Sequence, residues 1–439
     1  LRAQISGLPD AGRSSIMVAR PLSAAHRVTA GSEHTNKAMG DAEMNHGPTD
    51  AHPPARRLPR TVVIIGLVSL LNDFASEMVT PLIPLLLATV LGAGPMALGF
   101  IEGLADTTTN LLKLWAGRRS DMARRRRKPF VLFGYALSNL VRPLIGLSGS
   151  WLMVLGIRVT DRVGKGLRTA PRDAMLADVI PEGMAARAYG LTRALDHAGA
   201  VLGALAAAAV VYWGTERLDL VIAFSAIPGL FAILLIVFGI REPARHTASL
   251  ESLAPLRWQG LGAKTRAYLV AVGLFALGRI PETFLLLRGH ELGMSVVPLL
   301  LLWAAMHTVK VLTAEGAGRL ADRNGRRPVL LAGYAVYVLA LAGLAFTVSV
   351  SHLWLLSLTL GLHFGLTEGA ERALVRDLAP SAERGTAFGW FYMIVGLAAI
   401  PAGLLLGGLW ALWSAKAAFL VSAAITSAAT LFFWWRVRA

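Results

Sequence analysis

Any fold for this chain must accommodate about twelve apolar runs, most of them close to the length of a bilayer-crossing helix. They lie at roughly 61–91, 97–117, 129–147, 151–177, 185–212, 220–240, 268–290, 297–315, 328–348, 352–377, 385–409 and 413–435. A helix needs about 20 mostly apolar residues to cross the hydrocarbon, where each backbone polar group must be satisfied within the protein. Charged residues make up only 16% of the chain, whereas a soluble domain carries about 25%. The pattern predicts an all-α integral membrane protein with 12 transmembrane helices. The chain contains no cysteine, which excludes disulfides and thiolate metal sites. No metal or cofactor is expected.

The net charge of +16 could suggest nucleic acid, but its distribution argues against that partner. Basic residues fall in alternate loops: Arg56, Arg57 and Arg60; Arg118 to Lys128; Arg187; Arg241 to Arg266; Arg319 to Arg327; Arg384; Arg436 and Arg438. The intervening loops carry almost none, Arg217 and Arg288 excepted. This is the positive-inside bias of a multi-pass protein, and it places both termini in the cytoplasm. Residues 1–58 are polar and aperiodic and read as a disordered cytoplasmic segment. Met17, Met39 and Met44 are each candidates for the true start. A long, proline-containing stretch at 242–266 reads as a cytoplasmic linker between a half at 59–241 and a half at 267–439.

Several spans carry ionisable groups, which cost about 2.5–3.5 kcal/mol each at the bilayer centre and so face a cavity or a partner. The first span has Asp73 and Glu77 four apart on one face; the second has Glu102 and Asp106, with Lys113 two turns on. These four carboxylates are the proton-coupling candidates, and interhelical ion pairing or a position near a membrane surface is the alternative for them. The fourth span crowds Arg158, Asp161, Arg162 and Lys165, in which Asp161 and Lys165 are spaced to pair. Arg142 sits near the outer end of the third span, where it could snorkel. Arg279 and Glu282 fall in the seventh span, His307 and Lys310 in the eighth, and Glu368, Glu371, Arg372 and Arg376 in the tenth. Arg158, Asp161, Arg162, Lys165, Arg279, Glu282 and Glu368 are the substrate-cavity candidates. The positive excess of the fourth span, with Arg279 opposite, suggests an anionic or zwitterionic substrate, whereas the acids of the first two spans could hold a cation. A phosphate loop at Gly164-Lys165-Gly166 is excluded, because it lacks the preceding strand and the Gly-Lys-Ser/Thr ending.

The halves repeat each other. Gly117-x-x-x-Asp121, Pro129 and Gly134-Tyr135 parallel Gly318-x-x-x-Asp322, Pro328 and Gly333-Tyr334, about 200 residues apart. Arg168-x-x-x-Arg172-Asp173 parallels Arg372-x-x-x-Arg376-Asp377. The run Gly318-Arg319-Leu320-Ala321-Asp322-Arg323-Asn324-Gly325-Arg326-Arg327 resembles the signature loop of the major facilitator superfamily, and the Gly117 copy is a degenerate version of it. In that family the loop joins helices 2 and 3, and again 8 and 9. The resemblance covers residues 60 to 439 and implies two parallel six-helix repeats that rock around a midplane site. It also implies that helices 1, 4, 7 and 10 line the cavity while 3, 6, 9 and 12 face lipid. By resemblance, Gly117, Asp121, Gly318, Asp322, Arg323, Gly325 and Arg326 form the gating motifs. Asp121 and Asp322 would sit near helix ends of the opposite half, with Arg168, Arg172, Arg372 and Arg376 as charge partners. Arg162-Val163-Gly164-Lys165-Gly166 is similar to the family's arginine motif of helix 4 with shifted spacing; the Gly-Pro of the drug-antiporter signature is absent from the fifth span.

The expected function is secondary active transport by alternating access, with the transmembrane proton gradient driving export of small organic compounds. The expected setting is the lipid bilayer of a bacterial inner membrane, as a monomer. An importer or exchanger of an anionic metabolite is the alternative. A non-transporting sensor would need an output domain, an ATP-driven pump a nucleotide domain, and an enzyme a triad or metal cluster; the sequence offers none of these.

Overall fold

The computed structural model describes residues 58–122, 127–180, 184–214, 217–240, 256–380 and 383–437. The expected disordered segment and most of the expected linker therefore lie outside the described residues. Among those described, twelve long helical segments follow one another: α1 (Arg60–Val90), α2 (Pro95–Met122), α3 (Lys128–Leu147), α4 (Trp151–Val179), α5 (Ala185–Trp213) and α6 (Leu218–Gly239), then α7 (Ala263–Glu291), α8 (Val296–Asn324), α9 (Arg326–Leu344), α10 (Val350–Leu378), α11 (Arg384–Leu412) and α12 (Ala415–Arg436). Ten of them are long and apolar enough to cross a membrane. The other two, α2 and α4, have the length at 28 and 29 residues but carry many charges. The linker is shorter than expected at its end, since α7 begins at Ala263 and a single 3-10 turn at Trp258–Gly260 precedes it.

The packing repeats as well as the sequence. In the first half α1 packs on α5 and α6, α2 on α4, and α3 on α4 and α6. In the second half α7 packs on α11 and α12, α8 on α10, and α9 on α10 and α12. The halves meet along two equivalent seams, α2 with α11 and α5 with α8. Small residues make the first seam possible: a Cβ at Gly403 would collide with the backbone carbonyl of Gly99, and one at Gly103 with that of Ala399. Close backbone approach of this kind supplies the van der Waals contact that holds helices together in lipid. The outward surface is apolar, with Phe231 and Phe238 on α6, Leu339 on α9, and Leu431 and Trp434 on α12 all exposed.

Helix breaks mark where the bundle is specialised. Pro81 and Pro84 turn the outer part of α1 from α to 3-10 geometry, and a π-helical turn at Leu86–Val90 follows. α7 stops at Gly278 and restarts at Thr283. Pro281 forces this, because the residue before a proline is pushed out of the α region. Two side chains satisfy the freed backbone: the amide of Ile280 donates to Tyr337 Oη at 2.8 Å, and Ser422 donates to the carbonyl of Gly278. At the end opposite the basic loops, the outer parts of α1 and α7 meet. Leu82, Ile83, Phe284, Leu285 and Leu286 are buried in that contact region and form an apolar seal.

The signature motif is helix rather than loop. Gly318 to Asn324 continue α8 to its end, and Gly325 alone joins α8 to α9 at φ +89°. That left-handed backbone is what the second glycine of the motif supplies.

Replacing Gly403 by Val is expected to destabilise the bundle by about 1–3 kcal/mol. Gly316→Ala, at an open position on α8, is expected to be neutral. Thermal unfolding of the purified chain in detergent compares the two.

Candidate functional site

Charge is gathered in the interior between α2, α3 and α4 on one side and α7, α8 and α10 on the other. In the first half, Arg142 of α3 is only 1% exposed. It binds Asp161 Oδ1 at 2.9 Å and donates to Asn139 Oδ1 at 3.1 Å. Its expected outer, snorkelling position is thereby corrected. Asp161 turns to Arg142 rather than to Lys165, with Arg158 at 3.8 Å and Arg162 at 3.9 Å as further neighbours. Arg158, also 1% exposed, reaches both oxygens of Glu102 on α2 at 3.2 Å. Arg168 donates to Ser138 at 2.6 Å and Asn72 at 3.3 Å and lies 4.5 Å over the Tyr135 ring. Arg172 donates to Ser69 at 2.8 Å and pairs with Asp173 at 2.9 Å. Buried charges persist only when paired and hydrogen-bonded in this way.

Two glycines hold this knot together. A Cβ at Gly164 would strike the carbonyl of Gly134 and the Ser138 hydroxyl, and one at Gly166 would strike Leu112 of α2. The run Arg162-Val163-Gly164-Lys165-Gly166 thus wedges α4 between α3 and α2, bringing its arginines within reach of both.

The second half places its charge at the break in α7. Arg279 binds Glu371 Oε1 at 3.2 Å, and the Tyr334 hydroxyl donates to the same oxygen at 3.1 Å. Lys310 binds Glu282 at 2.5 Å and lies 4.6 Å over the Phe364 ring. Arg372 pairs with Glu368 at 3.0 Å. A cavity of about 280 Å³ opens here, lined from α7, α8, α9, α10 and α11 and, across the seam, by Asn110 and Lys113 of α2. A smaller space of about 80 Å³ adjoins it between α2, α7 and α11, with Asp106 in its wall.

The four carboxylates of the first two spans are treated differently. Glu102 is clamped by Arg158. Asp73 accepts a hydrogen bond from Asn72 at 2.9 Å. Glu77 accepts one from Trp303 Nε1 of α8 at 2.9 Å, crossing between the halves. Asp106 is exposed to the interior space, and no ion pair to it is found among the described residues.

The gating motifs lie at the basic end. Asp322 is 71% exposed and pairs with Arg326 at 2.7 Å; Arg326 also meets Asp377 at 3.2 Å and donates to the carbonyl of Ala321. Arg323 is exposed, and Gly318 has open space about it. Gly117 faces Ala170 of α4, while the side chain of Asp121 lies outside the described ones. Arg168 and Arg172 are turned into the first half, Arg372 into the cavity, and Arg376 is exposed. Among the described residues, each ion pair that is found lies within one half. Among the described residues, no contact of Asp322 with the first half is found. Lys113, Lys310, Glu371 and Trp303 were absent from the candidate set. The first three had a signal, a charge inside an apolar run; Trp303 had none.

Two equivalent six-helix halves enclosing a polar interior, with an apolar seal at one end, define a membrane transporter. The sequence matches the family model of the Major Facilitator Superfamily over residues 65–314 and 284–439. An uncharacterised MFS-type transporter of Methanocaldococcus jannaschii is 32% identical over 361 residues, covering 81% of this chain and 89% of its own. A chloramphenicol resistance protein of Pseudomonas aeruginosa is 39% identical over 130 residues, 27% of this chain and 29% of its own. A solved nucleoside transporter, in a mutant form, superposes with a TM-score of 0.71 at 12% identity over 86% of this chain and all of its own. The chain belongs to the Major Facilitator Superfamily; it is a multi-pass membrane transporter and not an enzyme.

Removing one partner of the buried knot leaves the other charge stranded. Arg142→Gln is expected to cost about 3 kcal/mol or more, and adding Asp161→Asn to recover part of it. The thermal midpoints of both single variants and the double variant in detergent check this.

Proposed function

We propose that the protein is an alternating-access secondary transporter that exports small organic compounds in exchange for protons. The observation that carries this reading is the contrast between Glu102 and Asp106, one turn apart on α2. Glu102 is held through both oxygens by Arg158 as part of the frame. Asp106 stands in the space between the halves, held by no ion pair among the described residues, where a proton can be taken up and released. Glu77 is a second carrier: its bond to Trp303 crosses the halves, and a hydrogen bond to a carboxylate weakens when that carboxylate is protonated. The sealed outer end and the half-by-half ion pairing of the basic end support an inward-facing state. In the other state Asp322 would exchange Arg326 for a helix end of the first half. Export is supported by the partial likeness to an antibiotic-resistance protein. No prosthetic group takes part; the proton gradient supplies the energy, and the protein acts as a monomer in a bacterial inner membrane with both termini in the cytoplasm. Import or exchange of an anionic metabolite is the second reading, favoured by the surplus cation Lys113 in the cavity wall.

Everted vesicles charged with a proton gradient test coupling. Cationic dyes, quinolones and organic anions are added in turn, and proton efflux is read by a pH-sensitive dye. Asp106→Asn is expected to abolish substrate-driven efflux while leaving the protein folded; full efflux in this variant would remove Asp106 from the coupling path. The absence of cysteine allows a clean gate test. With a single cysteine introduced at the basic end, Asp322→Asn is expected to raise its labelling rate, and an unchanged rate sinks the gate role.

A further inference from the structure

We infer that the 280 Å³ cavity of the second half binds a small organic anion with a planar aromatic body, and that Lys113 is the residue that recognises its charge. The inference rests on the reading of this cavity as the transport site.

Four cations and three carboxylates line the cavity. Three cations are spoken for: Arg279 by Glu371 at 3.2 Å, Lys310 by Glu282 at 2.5 Å, and Arg372 by Glu368 at 3.0 Å. Each of these pairs is made inside the second half. Lys113 is the surplus. It comes from the other half, on α2, and among the described residues no carboxylate is found within ion-pair distance of it. Asp106 is seven residues away along the same helix, about 10 Å in rise, and faces the adjoining pocket. The group that Lys113 does meet is the Tyr392 ring, 5.5 Å from its ammonium. An ammonium enclosed within the bundle without a counter-charge is costly. An incoming anion offsets that cost, whereas a cationic ligand adds to it and finds all three carboxylates already occupied.

The walls select the body of the ligand. Phe364 and Tyr392 are the partly exposed aromatic residues of the wall, and Phe275, Tyr334 and Phe391 are buried behind its surface, Phe275 and Tyr334 stacked at 4.2 Å. Offset stacking and edge contacts favour a flat aromatic ligand over an aliphatic one of equal charge. The volume fits a compact molecule rather than a large amphiphile. Because Lys113 belongs to one half and the three neutralised pairs to the other, an anion seated here contacts both halves at once. A ligand that binds one arrangement of the halves better than the other shifts the balance between them.

Binding to the full-length chain in lipid nanodiscs, with no gradient present, tests this by equilibrium dialysis with radiolabelled benzoate. Benzylamine, cyclohexanecarboxylate and inorganic phosphate serve as comparators. Benzoate is expected to bind more tightly than all three. Lys113→Gln is expected to weaken benzoate about tenfold or more, as loss of one member of a buried charge pair does. Lys113→Arg is expected to restore most of that loss. The Gln variant should unfold no earlier than wild type, since the lysine it replaces holds no structural ion pair. Benzylamine binding as tightly as benzoate, or unchanged benzoate affinity in Lys113→Gln, overturns the assignment. Phosphate or cyclohexanecarboxylate binding as tightly as benzoate overturns its aromatic part. Loss of proton efflux in vesicles without loss of benzoate binding would sink the coupling mechanism and leave this inference standing.

Discussion

A charge cannot face hydrocarbon without a partner, and the architecture of this protein follows from how that constraint is met. Arg142 and Asp161 exchange charge at 2.9 Å at the centre of the first half, with Arg158 linking Asp161 to Glu102. Those contacts tie α3, α4 and α2 together, and they require that α4 lie against its neighbours without intervening side chains. Gly134, Gly164 and Gly166 provide that approach. The two helices too charged to qualify as membrane spans, α2 and α4, are the ones these contacts tie together, and the apolar α6, α9 and α12 carry exposed large hydrophobic side chains.

The same constraint divides interior charge into two kinds. Clamped groups hold the frame: Glu102 meets Arg158 through both oxygens, and Asp161 and Arg168 each have several partners. Asp106 and Lys113 line the space between the halves, and no ion pair to either is found among the described residues. Moving parts are built from weakly committed groups for this reason. Glu77 belongs to neither class, because its one hydrogen bond is to Trp303 in the other half.

Much of this was legible in the sequence. The apolar runs mark the twelve helices to within a few residues, since hydrophobic length is set by the bilayer and not by tertiary context. The repeat of Gly117 to Tyr135 with Gly318 to Tyr334 anticipates two halves, and the packing obeys it pair by pair. What was not legible depends on rotation about helix axes. Arg142 was placed at an outer surface because its depth along α3 was visible and its facing was not. Asp161 was offered Lys165 four residues on, but Arg142 on another helix could approach it more closely. The motif from Gly318 to Asn324 looked like a loop because it is polar; it is a helix that extends beyond the apolar band, and only Gly325 turns.

The repeat is faithful in backbone and unfaithful in charge, and the difference is where function can reside. The first half concentrates arginines on α4 and pays for them with Glu102 and Asp161. The second half spreads its cavity cations over the break in α7, α8 and α10, and Arg279, Lys310 and Arg372 each have their own carboxylate. Pro281 is the origin of that divergence, because breaking α7 exposes a backbone that Tyr337 and Ser422 must satisfy and sets Arg279 and Glu282 at the cavity edge. Two halves with matching packing but different charge layouts can rock as equals while the second supplies most of the cavity wall and α2 of the first adds Asn110 and Lys113. Asp106, the proposed proton carrier, and Lys113, the proposed anion-recognising residue, both sit on α2, which forms one of the two seams with the second half. A displacement along that seam moves both groups relative to the cavity together, which ties their two roles to one motion.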